Sequence, residues 1–279
     1  MDRRQKILRT FMRNKAALIG GIIALVIVIV AIFAPLLSPY DPLEQDVFHR
    51  LTPPSGKHLL GTDVYGRDVL SRILWGSRVS LTVSVTSVFI AMVIGTALGM
   101  IAGFRRGKME TWIMRGVDIL MSFPTLILGL VVMAVLGSGM IKLILAIAIA
   151  LIPRFVRIAH APTLEMREKD FVEAARALGV GTTRLLARHI LPNILGEVLV
   201  MGTLWTATAI RMEANLSFIG LGVSPPTPTW GNMIRSGVEQ LAVSHWLAIF
   251  PGIAILVTVL SFNMLGDGLR DISDPKLYE

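Results

Sequence analysis

Residues Ala17 to Leu37 form an unbroken apolar run of 21 residues without one charged side chain. A bilayer core about 30 Å thick is crossed by roughly 20 residues of helix, each rising about 1.5 Å. The run has that length. It is too long for a cleaved signal peptide and has no small-residue cleavage site before the following polar stretch, so it is expected to remain as an anchor. Five more stretches fit the same ruler: Val79 to Phe104, Val117 to Leu136, Ile141 to Ile158, Ile194 to Ile210 and Trp246 to Leu265. Pro124 should kink the third, because a proline inside a helix removes a hydrogen bond and crowds the preceding turn. Ser138-Gly139-Met140 separates the third from the fourth, which is expected to end near Pro153 and Arg154. The expectation is an all-α integral membrane protein with six transmembrane helices.

Composition agrees. Apolar residues make up 53% of the chain and charged residues only 16%, with mean hydropathy +0.67, where a soluble domain carries nearer a quarter charged residues. No cysteine is present, which excludes a disulfide scaffold, a thiolate metal site and a cysteine nucleophile. The net charge of +8 would point to nucleic acid in a soluble protein. Here Lys and Arg cluster between apolar runs, and no aromatic stacking surface or basic reading helix accompanies them. Placing the N-terminus inside puts 19 of the 27 Lys and Arg residues in the inner segments. That bias predicts that both termini are cytoplasmic.

Two outer segments are long enough to matter. Ser38 to Arg78 is mostly polar and contains an amphipathic piece from Arg67 to Trp75, in which Asp68 can meet Arg72 at i,i+4. Val223-Ser-Pro-Pro-Thr-Pro-Thr-Trp230 cannot be helical.

The cytoplasmic stretch Asp170 to Asn193 carries the most information. Asp170 and Glu173 form a capping-box-like pair, and Gly179 supplies a helix stop. Phe171, Ala174, Ala175 and Leu178 share one face, while Val172, Glu173 and Arg176 point elsewhere. A helix of about eight residues is marginal alone, since isolated helices below about 12 residues seldom hold in water. Something must bury that face. A second, basic helical stretch runs from about Thr183 to Ile190, and Leu191-Pro192-Asn193 should end it. The bland alternative is a charged linker between two spans.

Glu173-Ala-Ala-Arg-Ala-Leu-Gly179 followed by Leu191-Pro192 resembles the EAA-loop of ABC-importer permeases. Glu173, Ala174, Ala175, Gly179, Leu191 and Pro192 fall in register, and His189 stands where the pattern has Ile. Gly61 to Arg72, Glu213 to Gly222 and Leu265 to Asp271 resemble the dipeptide/oligopeptide/nickel permease group, and the N-terminal span with Asp274-Pro275 resembles its "C" type. The resemblance implies a type I importer, MetI-like permease fold over residues 79–268. Residues 1–78 would precede it as a cytoplasmic segment, first span and periplasmic segment, and 269–279 would follow as a cytoplasmic tail.

It also implies a coupling helix docking on a separate ATPase, with Phe171, Ala174, Ala175 and Leu178 at or beside the contact. Glu173 would add a charged contact or only the cap, and Gly179 and Pro192 would be structural. The implied partners are a second homologous permease, two ATPase subunits that bind ATP and Mg, and an external solute-binding protein, with Gly61 to Trp75 and Pro225 to Trp230 contacting that protein or shaping the outer mouth. The implied location is the bacterial inner membrane. The implied activity is import of peptides by alternating access, with nickel or another small solute as the alternative.

Other signals carry less. Gly103 to Met109 lacks the spacing of a phosphate loop, and the five histidines lack metal-ligand spacing. Arg211 and Glu213 either snorkel to headgroups or line the translocation path. A stand-alone channel or secondary carrier is disfavoured, because the span centres hold almost no ionisable residue for ion coupling.

Overall fold

The computed structural model describes residues 14–273. Arg3, Arg4, Lys6, Arg9, Arg13 and Lys276, which entered the charge bias, and the Asp274-Pro275 pair lie outside the described residues. Among the described residues the secondary structure is helical, without a strand.

The first span is α1, Lys15–Ile32, started by the Asn14 side chain accepting from the Ala17 amide. Phe33 interrupts it, and a short α2, Ala34–Leu37, follows with Pro35 in its first turn. The expected 17–37 run is therefore two helices. α3, Val69–Arg105, has 37 residues and so reaches about 55 Å. It merges the amphipathic outer piece with the second span, because no helix breaker separates them.

α4, Gly107–Met121, and α5, Thr125–Leu136, meet at a 94° bend. The third expected span thus straddles a corner at Ser122 to Pro124, since proline cannot extend α4 and becomes the residue that opens α5. α6, Met140–Met166, runs straight through Pro153 and Pro162 and does not stop near Arg154. Pro153 is buried, and its neighbours Ile152, Phe155 and Val156 lie close against Gly95 of α3, so packing rather than local propensity decides.

After α7, Asp170–Ala177, the chain enters α8, Thr182–Leu185, a π-helical turn at Leu186–Ile190, and α9, Leu191–Ile219. These join into one rod of 38 residues. α10, Trp230–Glu239, and α11, Trp246–Ser273, complete the order. Among the described residues four helical stretches are long and apolar enough to cross a membrane (α1, α3, the 182–219 rod and α11), and the bent α4–α5 pair makes a fifth if it is one span.

The core lies where α6 is wedged between α3 and α9. Leu143, Ile147, Leu151 and Phe155 recur along α6 at helical spacing, all fully buried, against Val83, Ala91 and Met100 of α3 and Met212 and Leu216 of α9.

The segment before α3 is a polar knot. Asp63 accepts from Arg67 Nε at 2.7 Å and from the amides of Tyr65 and Arg67, and Arg72 Nε lies 3.4 Å away. Asp68 caps α3, taking the Ser71 amide and hydroxyl, and pairs with His58 Nδ1 at 3.0 Å. The expected Asp68–Arg72 pair is replaced. A residue just before a helix turns its side chain to the free amides of the first turn, which leaves Arg72 to Asp63 and the Pro42 carbonyl.

Gly66 makes the turn possible, with φ +77° and space so tight that a Cβ would lie 1.8 Å from the Asp46 carbonyl oxygen. Gly66→Ala is expected to cost about 2 kcal/mol or more. The expected readout is a lower thermal unfolding midpoint in detergent and faster proteolysis of this segment. Gly56→Ala, which meets nothing within 4 Å, is the neutral control.

The proline-rich loop is non-helical through Thr229 as expected, but Trp230 opens α10, is 2% exposed and donates Nε1–H to the Ile73 carbonyl at 3.1 Å. Trp230 therefore has no surface left for a binding protein and instead fastens α10 to α3. A cleft of about 530 Å³ is lined by Ser38 to Leu43, Trp75 and Thr227-Pro228.

Candidate functional site

α7 is eight residues long, and the positions of its side chains decide what it can do. No side chain among the described residues caps its start at Lys169, so the Asp170/Glu173 capping box does not form. Both acids sit inside the first turn, where the free amides favour negative charge. The other end closes as a Schellman motif: the Gly179 amide bonds to the Arg176 carbonyl and the Val180 amide to the Ala175 carbonyl. Gly179 has φ +79°, so the expected helix stop is met by left-handed backbone.

The apolar arc is rotated from the expected one. Val172 is fully buried and Ala175 nearly so, in the same core cluster as Phe104, Leu185 and Ile190. Ala175 therefore packs inward on this chain. Phe171 is 43% and Leu178 84% exposed, and Ala174 and Glu173 are exposed beside them. The helix has an inner edge that fixes it and an outer edge that is bare.

Two contacts missed by the sequence reading hold the loop to the end of α3. The Arg176 guanidinium lies 4.7 Å over the Phe104 ring, and Arg106 pairs with Glu168 at 3.2 Å. Their only sequence signal was the basic cluster at the end of that span.

Pro192 does not end a helix. It falls in the first turn of α9, just after the π turn, and is exposed. The wider turn accommodates a residue without an N–H, and Asn193 Nδ2 donates to the His189 carbonyl at 2.6 Å. Past the turn that follows α7, the chain is continuous helix from Thr182 into α9.

The two path candidates lie apart. Arg211 is exposed, with Nη2 donating to Thr208 Oγ1 at 3.2 Å. Glu213 is fully buried inside the chain, where Ser217 Oγ donates to its Oε1 at 2.8 Å. It offers a solute no surface.

Residues 95–278, more than half of the chain, match the family described as binding-protein-dependent transport system inner membrane component. The chain belongs to that family. Residues 3–54 of the permease also match the N-terminal TM domain of oligopeptide transport permease C. It is 43% identical to the di/tripeptide transport system permease protein DppC of Pseudomonas aeruginosa, over 96% of this chain and 91% of that one. It is 42% identical to the glutathione transport system permease protein GsiD of Pectobacterium atrosepticum, over 96% and 90%.

Among solved structures it resembles the MetNI methionine ABC transporter in inward-facing conformations, with TM-score 0.59, 19% identity, and 74% of this chain and 98% of that one covered. That likeness assigns the MetI-like fold. The permease is thus a multi-pass inner-membrane protein, and its family implies an ATPase and a binding protein as partners.

Proposed function

We propose that this permease is one membrane-embedded subunit of an ATP-driven importer of di- and oligopeptides, with six spans and both termini in the cytoplasm. The sixth span is α6, whose 27 residues reach about 40 Å. An even number of crossings agrees with the positive-inside bias. The complete importer would contain a second, homologous permease, two ATPase subunits that bind ATP and Mg, and an external solute-binding protein. This chain would hold no cofactor and perform no covalent chemistry. The peptide assignment rests on relatives named for di/tripeptides, dipeptides and glutathione.

The observation that carries the mechanism is the bare outer edge of α7. Phe171, Ala174 and Leu178, flanked by Glu173, would dock on the ATPase, while Val172 and Ala175 tie the helix to the permease core. ATP-driven closure of the ATPase pair would then move α7 and the rod that continues into α9, and the cavity would open outward. Gly61 to Trp75, the Pro225 to Pro228 loop and the cleft between them would shape the outer mouth and meet the binding protein.

The test is purification of the complex from native membranes, identification of what travels with the chain, and ATP-dependent uptake in proteoliposomes. An ATPase, a second permease and uptake of labelled di- or tripeptide are expected. Uptake of a nickel chelate without peptide would sink the substrate assignment.

A further inference from the structure

Thr208, Arg211 and Asn215 follow one another on α9 at spacings of three and four, so they share a face. Arg211 and Asn215 are exposed and Thr208 is half-buried, whereas Ala209, Ile210, Met212, Glu213 and Ala214 between them are buried. One turn back, Leu204 packs over Gly266 of α11. The open part of this face is polar from Thr208 to Asn215, and the exposed Phe218 continues it toward the helix end, on a helix long and apolar enough to cross the membrane.

Among the described residues Arg211 forms no ion pair. A guanidinium on a spanning helix needs a counter-charge, a water-filled path or a route to the headgroups. Arg211 does not take the last of these. It lies eight residues before the helix end at Ile219, and its bond to Thr208 turns it back along α9, away from that end.

A guanidinium fork beside an amide that both donates and accepts suits a carboxylate. Every unmodified peptide carries one at its C-terminus, whatever its side chains. Resting on the peptide-import reading, we infer that the Thr208–Arg211–Asn215 strip lies in the translocation path and takes the terminal carboxylate of the passing peptide. Because Arg211 is shared with Thr208 and open on its outer side, the contact can hold the solute briefly and release it, as conduction requires.

The chain has no cysteine, so Thr208→Cys, Arg211→Cys and Asn215→Cys each introduce its only thiol. In the complete complex, reconstituted with cysteine-free partners, a charged methanethiosulfonate reagent is expected to label all three sites. Saturating dipeptide with its binding protein should slow labelling at 208 and 215 at least fivefold. Leu199→Cys, on a different exposed face, should stay unlabelled.

In uptake, Arg211→Gln should reduce the rate for a free-acid dipeptide about tenfold or more, and Arg211→Lys should recover part of it. A C-terminally amidated dipeptide should be carried by Arg211→Gln at the wild-type rate. Absent labelling would place the strip against lipid or the second permease and overturn the inference. So would labelling that peptide does not slow, equal loss for both peptides, or loss of the second permease from the Arg211→Gln complex. A wild-type complex that carries no peptide overturns the peptide reading together with this inference, whereas peptide uptake without thiol labelling overturns the inference alone.

Discussion

Phe171→Asp, and independently Leu178→Asp, are expected to strip the ATPase from the purified complex while leaving the permease folded in the membrane. Both side chains are large, apolar and bare, at 43% and 84% exposure, so the chain's own fold does not depend on covering them. Burying such a side chain in a partner's groove contributes about 1.5–3 kcal/mol, and an aspartate there adds a desolvation penalty. Co-purified ATPase should fall at least about tenfold, since about 1.4 kcal/mol corresponds to a factor of ten. ATP-driven uptake should fall to background.

Val172→Asp is the informative contrast. Val172 is fully buried beside Phe104 and Leu185, so a charge there should destabilise the loop itself and lower the amount of folded permease. Glu173→Arg, on the exposed side of the first turn, should cost stability only a few tenths to about 1 kcal/mol through the helix dipole. If Phe171→Asp and Leu178→Asp both retain the ATPase at the wild-type level, the docking face lies elsewhere.

The contrast between Phe171 and Val172 also marks what was legible in the sequence. The spacing of Phe171, Ala174, Ala175 and Leu178 identified a helix with an apolar arc, and Gly179 its stop. Periodicity locates such an arc only to within about a residue, and on an eight-residue helix that width separates the buried edge from the bare one. Val172 was therefore assigned to the wrong side.

Pro192 and Pro153 were read by local rule, as helix ends. Proline's local cost is fixed, but a π turn absorbs it at one site and a packed helix interface outweighs it at the other. Helical spacing pairs Asp68 with Arg72, but Asp68 precedes the helix and caps it. The resemblance puts Trp230 in an outer segment that meets the binding protein or shapes the outer mouth, yet its ring is buried together with Thr229 and Val223. Apolar runs near span length are visible because composition alone sets them, and the break at Pro124 is legible from proline chemistry, whereas neither its 94° angle nor the extension of α3 back to Val69 is set by the apolar pattern.

Gly99→Leu should be the most damaging single change away from α7, and the reason is another signal that sequence reading passed over. Gly95, Gly99 and Gly103 recur every four residues on α3, a small-residue spacing that lets membrane helices approach closely. They form the seam with α6. A Cβ at Gly99 would lie 2.4 Å from the Val156 carbonyl oxygen and 2.9 Å from Ala159 Cβ. At Gly95 it would lie 2.5 Å from Phe155 Cβ, and at Gly103 2.7 Å from the His160 carbonyl oxygen.

The nearest atom at Gly99 is backbone, so no rotamer change relieves the clash and α6 must move off α3. Lipid tails supply little hydrophobic drive to re-form the contact elsewhere, because they are as apolar as the helices. Gly99→Ala is expected to cost about 2–3 kcal/mol and to lower the thermal midpoint by about 5–10 °C. Gly99→Leu should leave little folded permease in the membrane. Gly116→Ala on α4, where nothing lies within 4 Å, is the control and should behave as wild type.

The same seam bears on coupling. α6 leads through Arg167 to Lys169 into α7, and Arg176 of α7 rests on Phe104 just past Gly103. A modest opening by Gly103→Ala should therefore reduce uptake per folded complex, and not only the number of complexes. Wild-type folded yield and thermal midpoint in Gly99→Leu would show that α3 and α6 do not meet through these glycines. Unchanged uptake per complex in Gly103→Ala would leave the seam structural and detach it from the motion of α7.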